Sequence, residues 1–141
     1  MEREPSCGLM LKQISDELRK NANNAMRAHD MTVAQFSLLA ELHCAPEGQL
    51  TLKELEQRLH VAQSTVAGLV SRLEQKGLVE GHGDPEDRRV KWARISRSGE
   101  GIMACARDER DRAEEELLSG LTEAERSIFL TLLRKVRDGI L

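Results

Sequence analysis

Apolar residues recur along this chain with the spacing of helices, broken once by a short stretch of strand period. Leu11, Ile14, Leu18, Ala22 and Ala25 stand three or four apart, which predicts a first helix over residues 9–29. Thr32 opens a second as N-cap, with Gln35 three positions on to complete a capping box and Met31 and Phe36 placed as a hydrophobic staple. Phe36, Leu39, Leu42 and His43 are assigned to its inner face, and Ala45-Pro46-Glu47-Gly48 ends it. Thr51 with Glu54 starts a short third helix carrying Leu52, Leu55 and Leu59. Only His60-Val61-Ala62-Gln63 separates it from the next periodic run, Val66, Leu69, Val70 and Leu73, which Gly77 closes in the C′ position. Two helices joined by so short a turn have helix-turn-helix geometry.

The period then changes. Leu78 and Val79 run into the dense turn signal Gly81-His82-Gly83-Asp84-Pro85, and Val90 to Ile95 reads as a returning strand, so a β-hairpin with its tip near 83–89 is expected. Ser96 caps a long helix over about 98–119, whose middle, RDERDRAEEE, sets opposite charges four apart and reads as a solvated face. Thr122 with Glu125 caps a last helix striped by Ile128, Phe129, Leu132, Leu133, Val136 and Ile140. The expected fold is mainly α with a small β-hairpin wing: a winged helix-turn-helix with helices at both ends. Those end helices carry apolar stripes with no large domain to bury them, so a second subunit or a compact monomeric bundle must cover them.

Composition narrows the function. At 141 residues the chain suits one domain, no apolar run approaches bilayer length, and the start MEREPSCG reads as no signal peptide. Cys7, Cys44 and Cys105 form no CxxC pair, which points to a reducing cytoplasm rather than a disulfide framework, with Cys44 and Cys105 read as small packing residues. One tryptophan, two phenylalanines and no tyrosine leave little on which unpaired bases could stack, against a single-strand or RNA-type binder. Net charge is −3, but residues 88–97 hold Arg88, Arg89, Lys91, Arg94 and Arg97 without an acid, and only the local field matters at a phosphate backbone. No phosphate-cradling glycine loop and no nucleophile–base pair can be read, so no enzyme and no cofactor are expected.

The candidate chemistry lies on the second helix of the helix-turn-helix and on the wing. With Val66, Leu69, Val70 and Leu73 inward, the opposite side offers Gln63, Ser64, Thr65, Gly68, Ser71 and Arg72. Short side chains let such a helix approach base edges, and hydroxyl, amide and guanidinium groups supply donors and acceptors. Ser and Thr also gather at helix starts simply as caps. In the wing segment DPEDRR, Asp84 and Pro85 set the bend and Asp87 stands two before Arg89, as a carboxylate steadying a minor-groove arginine would; a salt-bridged surface turn is the plainer alternative.

The run STVAGLVSRLEQKGLV, then DPEDRR, then VKWARISRSG, ending at Gly99, resembles the MarR family of bacterial winged helix-turn-helix transcription regulators, and the likeness extends to helix order and length. The resemblance implies Ser64, Thr65 and Arg72 at the major groove with Gln63, Gly68 and Ser71 close by. It places Arg89 in the minor groove, steadied by Asp87 and beside Arg88. It implies one MarR-like domain over 1–141, with a DNA-binding lobe over 32–97 and a homodimerisation region formed by 9–29 and 98–141. It further implies a regulator, a repressor above all, that a small ligand releases from double-stranded DNA. Met10, Met26, Met31, Phe36 and Met103 are candidates for an adaptable apolar ligand pocket, or for core filling. Cys7 falls near the reactive cysteine of peroxide-sensing members, whose tyrosine partners this chain lacks; a thiol-switch regulator is one alternative and a protein–protein adaptor another. Glu41 and His43 resemble part of the site in zinc-sensing relatives, but the fifth helix has no histidine pair, so no metal is expected.

Overall fold

The computed structural model describes residues 4–141 and contains the expected helices in the expected order. They are α1 (Cys7–Ala28), α2 (Val33–Cys44), α3 (Leu52–Leu59), α4 (Gln63–Gln75), α5 (Arg97–Leu117) and α6 (Glu123–Ile140). Three strands lie among them: β1 (Gln49–Thr51), β2 (Val79–Gly83) and β3 (Lys91–Ile95). The chain divides into two compact units, one running to Arg107 and the other Asp108–Leu141.

The first unit holds the core. Leu38, Leu39 and Leu42 of α2, Leu55 of α3, and Val66 and Leu73 of α4 are fully buried, and Leu50 of β1, Leu78, Val79 and Ala93 are buried beside them in the same core. Each large aliphatic side chain so removed from water contributes about 1.5–3 kcal/mol before entropy is counted. Leu69 and Phe36 lie at the rim of this cluster, half-buried.

The wing departs from a simple hairpin. β3 is the centre of a three-stranded antiparallel sheet of order β1-β3-β2, with Leu50 opposite Ala93 and His82 opposite Trp92. β1 went unread because three residues are too short to show a period of two, and its turn-rich neighbours read only as a helix stop. Thr51 pairs with Trp92 as the last residue of β1 and also N-caps α3, its hydroxyl accepting the Glu54 N–H at 3.1 Å. Only this half of the expected capping box is formed, whereas Thr32–Gln35 and Thr122–Glu125 each make both bonds.

The glycines that flank β2 and β3 are held to glycine, one by conformation and one by space. Gly77 adopts φ +73, and α4 ends as a Schellman motif, with Gly77 N–H donating to the Glu74 carbonyl and Leu78 N–H to that of Leu73, both at 2.9 Å. At Gly99 a Cβ would stand 2.4 Å from the Leu78 carbonyl oxygen and 2.6 Å from Ile95 Cγ1, so no side chain fits where α5 leaves the sheet. Ser96 fixes the same corner: its hydroxyl donates to the Gly77 carbonyl at 2.6 Å and accepts the Gly99 N–H at 3.1 Å.

Two further expectations need correction. His43 lies outside the core, its Nδ1 2.6 Å from Glu100 Oε2, because the buried stripe of α2 runs through Gln35, Leu38, Leu39 and Leu42. Cys44, at the end of that helix and off the stripe, is exposed rather than packed.

α1 has no buried residue, and Leu9, Met10, Leu11, Ile14 and Leu18 are each 38–46 % exposed. In the second unit Arg126 of α6 pairs with Glu115, its Nη1 shared between the two carboxylate oxygens at 3.1 and 3.2 Å. Ile128, Leu132, Val136 and Ile140 of α6 are more than half exposed. Among the described residues no helix is long and apolar enough to cross a membrane.

Candidate nucleic-acid interface

The inward stripe of α4 dictates which residues it displays. With Val66, Val70 and Leu73 buried, Gln63, Ser64, Thr65, Gly68, Ser71 and Arg72 are all exposed, as the periodicity required. The turn before α4 is set by His60, whose left-handed φ of 54 ends α3 and sends the chain round to Gln63 in three residues. At its other end α4 is braced by Lys76, whose ammonium donates to the Asp30 carbonyl and, at 3.1 Å, to Gln35 Oε1. Gln35 is the one buried polar side chain among the described residues, 4 % exposed. Its Oε1 also accepts the Thr32 N–H, so the brace ends on the cap of α2. Nothing in the spacing of the sequence announces a bond across 41 residues.

The wing turn carries the second set. Asp87 Oδ1 accepts the Arg89 backbone N–H at 3.0 Å and its Nε at 3.3 Å, while Oδ2 lies 3.5 Å from Nη2. The Arg89 side chain is nonetheless 92 % exposed. A carboxylate aligns the guanidinium without covering it, as the Asp-x-Arg spacing predicts. Arg88, beside it, is exposed. Asp84 is held below its ordinary carboxylate pKa first by the Glu86 N–H and then by the Trp92 indole N–H, at 2.9 and 3.0 Å. Its tie to the turn was readable, since an aspartate accepting N–H groups two and three residues on is the Asx pattern. The bond to Trp92, eight residues on across the hairpin, was not.

The remaining candidates are dispersed. Met31 is buried in the core, and Phe36 and Met103 pack against it. Met26 is half-buried and Met10 exposed on α1. Cys7 is exposed in the first turn of α1, just behind the N-cap Ser6.

A family model described as the MarR family matches residues 29–90, the span from the end of α1 to the wing turn. The transcriptional regulator HosA of Escherichia coli O111:H- is 29% identical over 110 residues, covering 78% of this chain and 80% of HosA. Among solved structures, the transcriptional regulator Tm0710 from Thermotoga maritima is 31% identical, with a TM-score of 0.73 over 93% of this chain and 91% of that one. The S. aureus MepR–DNA complex matches with a TM-score of 0.80 at 26% identity, covering 92% of this chain and 96% of MepR. Sequence, fold and the exposed face of α4 agree, and the chain belongs to the MarR family of transcriptional regulators.

Proposed function

We propose that this protein is a sequence-specific double-stranded DNA-binding repressor. It acts as a homodimer on a near-palindromic operator, in the cytoplasm, and is released by a small ligand. The observation that carries the reading is the pairing of two features in one lobe. One is a recognition helix, α4, whose whole outer face is small or hydrogen-bonding; the other is a wing arginine that is aligned by Asp87 yet 92 % exposed. The fold likeness to MepR, a protein solved in complex with DNA, supports it. α4 serves the major groove through Ser64, Thr65 and Arg72, with Gln63, Gly68 and Ser71 near the base edges, and Arg89 serves the minor groove with Arg88 beside it.

The apolar stripes of α1 and α6 support the homodimer, since exposed leucines and isoleucines at helical spacing need a cover. Two-fold symmetry then sets half-site centres about one helical turn, ~10–10.5 bp, apart. Phe36 and Met103, packed against the core that holds Met31, and the half-buried Met26 are the apolar side chains proposed to meet an effector.

Selection from a pool of random duplexes tests the reading, together with sedimentation of the protein alone and with the selected duplex. A palindromic winner bound by two chains, with affinity falling steeply as salt rises, is the expected result. Enrichment of no duplex, or weak salt dependence, moves the protein to the adaptor class; a monomer in sedimentation removes the dimer.

A further inference from the structure

The wing presents a contradiction in charge. A loop meant to meet phosphates carries Asp84, Glu86 and Asp87, and unpaired carboxylates there oppose binding. Asp87 is accounted for by Arg89. Asp84 divides its two oxygens between two parts of the hairpin. Oδ1 accepts the N–H groups of Glu86 and Asp87 at 2.9 and 3.3 Å, and Oδ2 accepts the indole N–H of Trp92 on β3 at 3.0 Å. The backbone adds two ties, Asp84 N–H to the Val90 carbonyl at 3.0 Å and Val90 N–H to that of Asp87 at 3.1 Å.

Trp92 is fixed in turn. His82 stacks parallel to it, ring centroids 6.2 Å apart and planes within 2°. The amide of Gln49 is oriented by Arg94, which donates to its Oε1 at 2.9 Å, and by Glu47, which accepts from its Nε2 at 3.1 Å. His82 Nε2 lies 3.2 Å from that same Oε1, and Nδ1 lies 3.4 Å from the Gly83 carbonyl. Side chains thus connect β1 to the wing tip in one chain of contacts.

We infer that Asp84 is a positioning residue for the wing: it ties the turn to Trp92 and so presets the loop from which Arg89 projects. The purpose rests on the DNA-binding reading; the clamp itself does not. A flexible loop surrenders its conformational freedom when its arginine docks, and a clamped one has surrendered it on folding.

The two oxygens can be tested separately in the full-length protein. Asp84→Asn keeps an acceptor for the Glu86 and Asp87 N–H groups but sets an NH2 donor against the indole N–H; Asp84→Ala removes both ties. Without DNA, Asp84→Ala is expected to speed amide exchange at Glu86 and Asp87 by about tenfold or more, as for a lost hydrogen bond. Asp84→Asn is expected to leave those amides protected while shifting the emission of Trp92, the protein's single tryptophan. On the duplex that wild type selects, Asp84→Ala should bind about tenfold more weakly, with a salt slope shallower by about one. The double variant Asp84→Ala/Arg89→Ala should bind no more weakly than Arg89→Ala alone. Additive losses in the double variant, or an Asp84→Ala protein with wild-type slope and affinity, overturn the inference. If wild type selects no duplex, the DNA-binding reading fails by itself. Amide exchange then decides the clamp, and unchanged protection at Glu86 and Asp87 in Asp84→Ala overturns it.

Discussion

At the scale of single residues, the interface separates those that reach outward from those that hold others in place. Arg72 and Thr65 project from α4, and their replacement by alanine should change which bases are preferred, at a cost of about 1–3 kcal/mol for each well-made base contact. Arg89→Ala should instead weaken binding on all sequences alike, read as parallel losses across a panel of duplexes. Both kinds were legible in the sequence, because exposure on α4 follows from the burial of Val66, Val70 and Leu73, and Asp87–Arg89 is a contact between near neighbours. Asp84 was legible only as a turn residue, since its tie to Trp92 needs β2 and β3 in register. Acid supplies a direct check. Interactions that lower the Asp84 pKa from 3.8 act on its ionised form, so the wing is intact above that pH and loosens as pH falls through the lowered value. Below about pH 4, Trp92 emission should therefore change in the wild type and not in Asp84→Asn, whose side chain carries no ionisable group.

At the scale of elements, helices announced themselves through their caps and their period of 3.6, and the strands less so. Thr32–Gln35 and Thr122–Glu125 were readable as reciprocal caps, since each satisfies otherwise unpaired N–H groups within three residues. β1 was not readable, and neither was the Lys76 brace, which spans the 41 residues from α4 back to Gln35. Reading His43 as inward failed by about one position in helical phase, where a half-apolar ring at a helix end gives no sharp signal. The junction of β3 with α5 depends on Gly99, and a methyl group there has backbone on one side and Ile95 on the other. Gly99→Ala should destabilise the protein by about 1–3 kcal/mol, the range for overpacking, seen as a lowered thermal midpoint. Gly101→Ala, two residues along the same helix where a Cβ meets nothing within 4 Å, is the control and should raise the midpoint or leave it unchanged.

At the scale of the whole molecule, periodicity revealed which faces are apolar but not what covers them. The stripes of α1 and α6 were visible from residue spacing alone, whereas the surface that would cover them leaves no trace in that spacing. The order of elements, by contrast, was almost completely legible, because most boundaries are marked locally by a cap, a glycine or a proline, the turn through His60 and Ala62 being an exception. One residue joins two parts of this order more closely than the sequence suggested. Thr51 closes the sheet against Trp92 and in the same step begins α3. The sheet and the helix-turn-helix therefore share a residue that cannot leave one without disturbing the other, which predicts that the two unfold as one cooperative unit. In native-state hydrogen exchange the amides of Ala93 and Leu55 should open with one common free energy and one common denaturant dependence. Separate values would mean that the wing melts ahead of the helix-turn-helix.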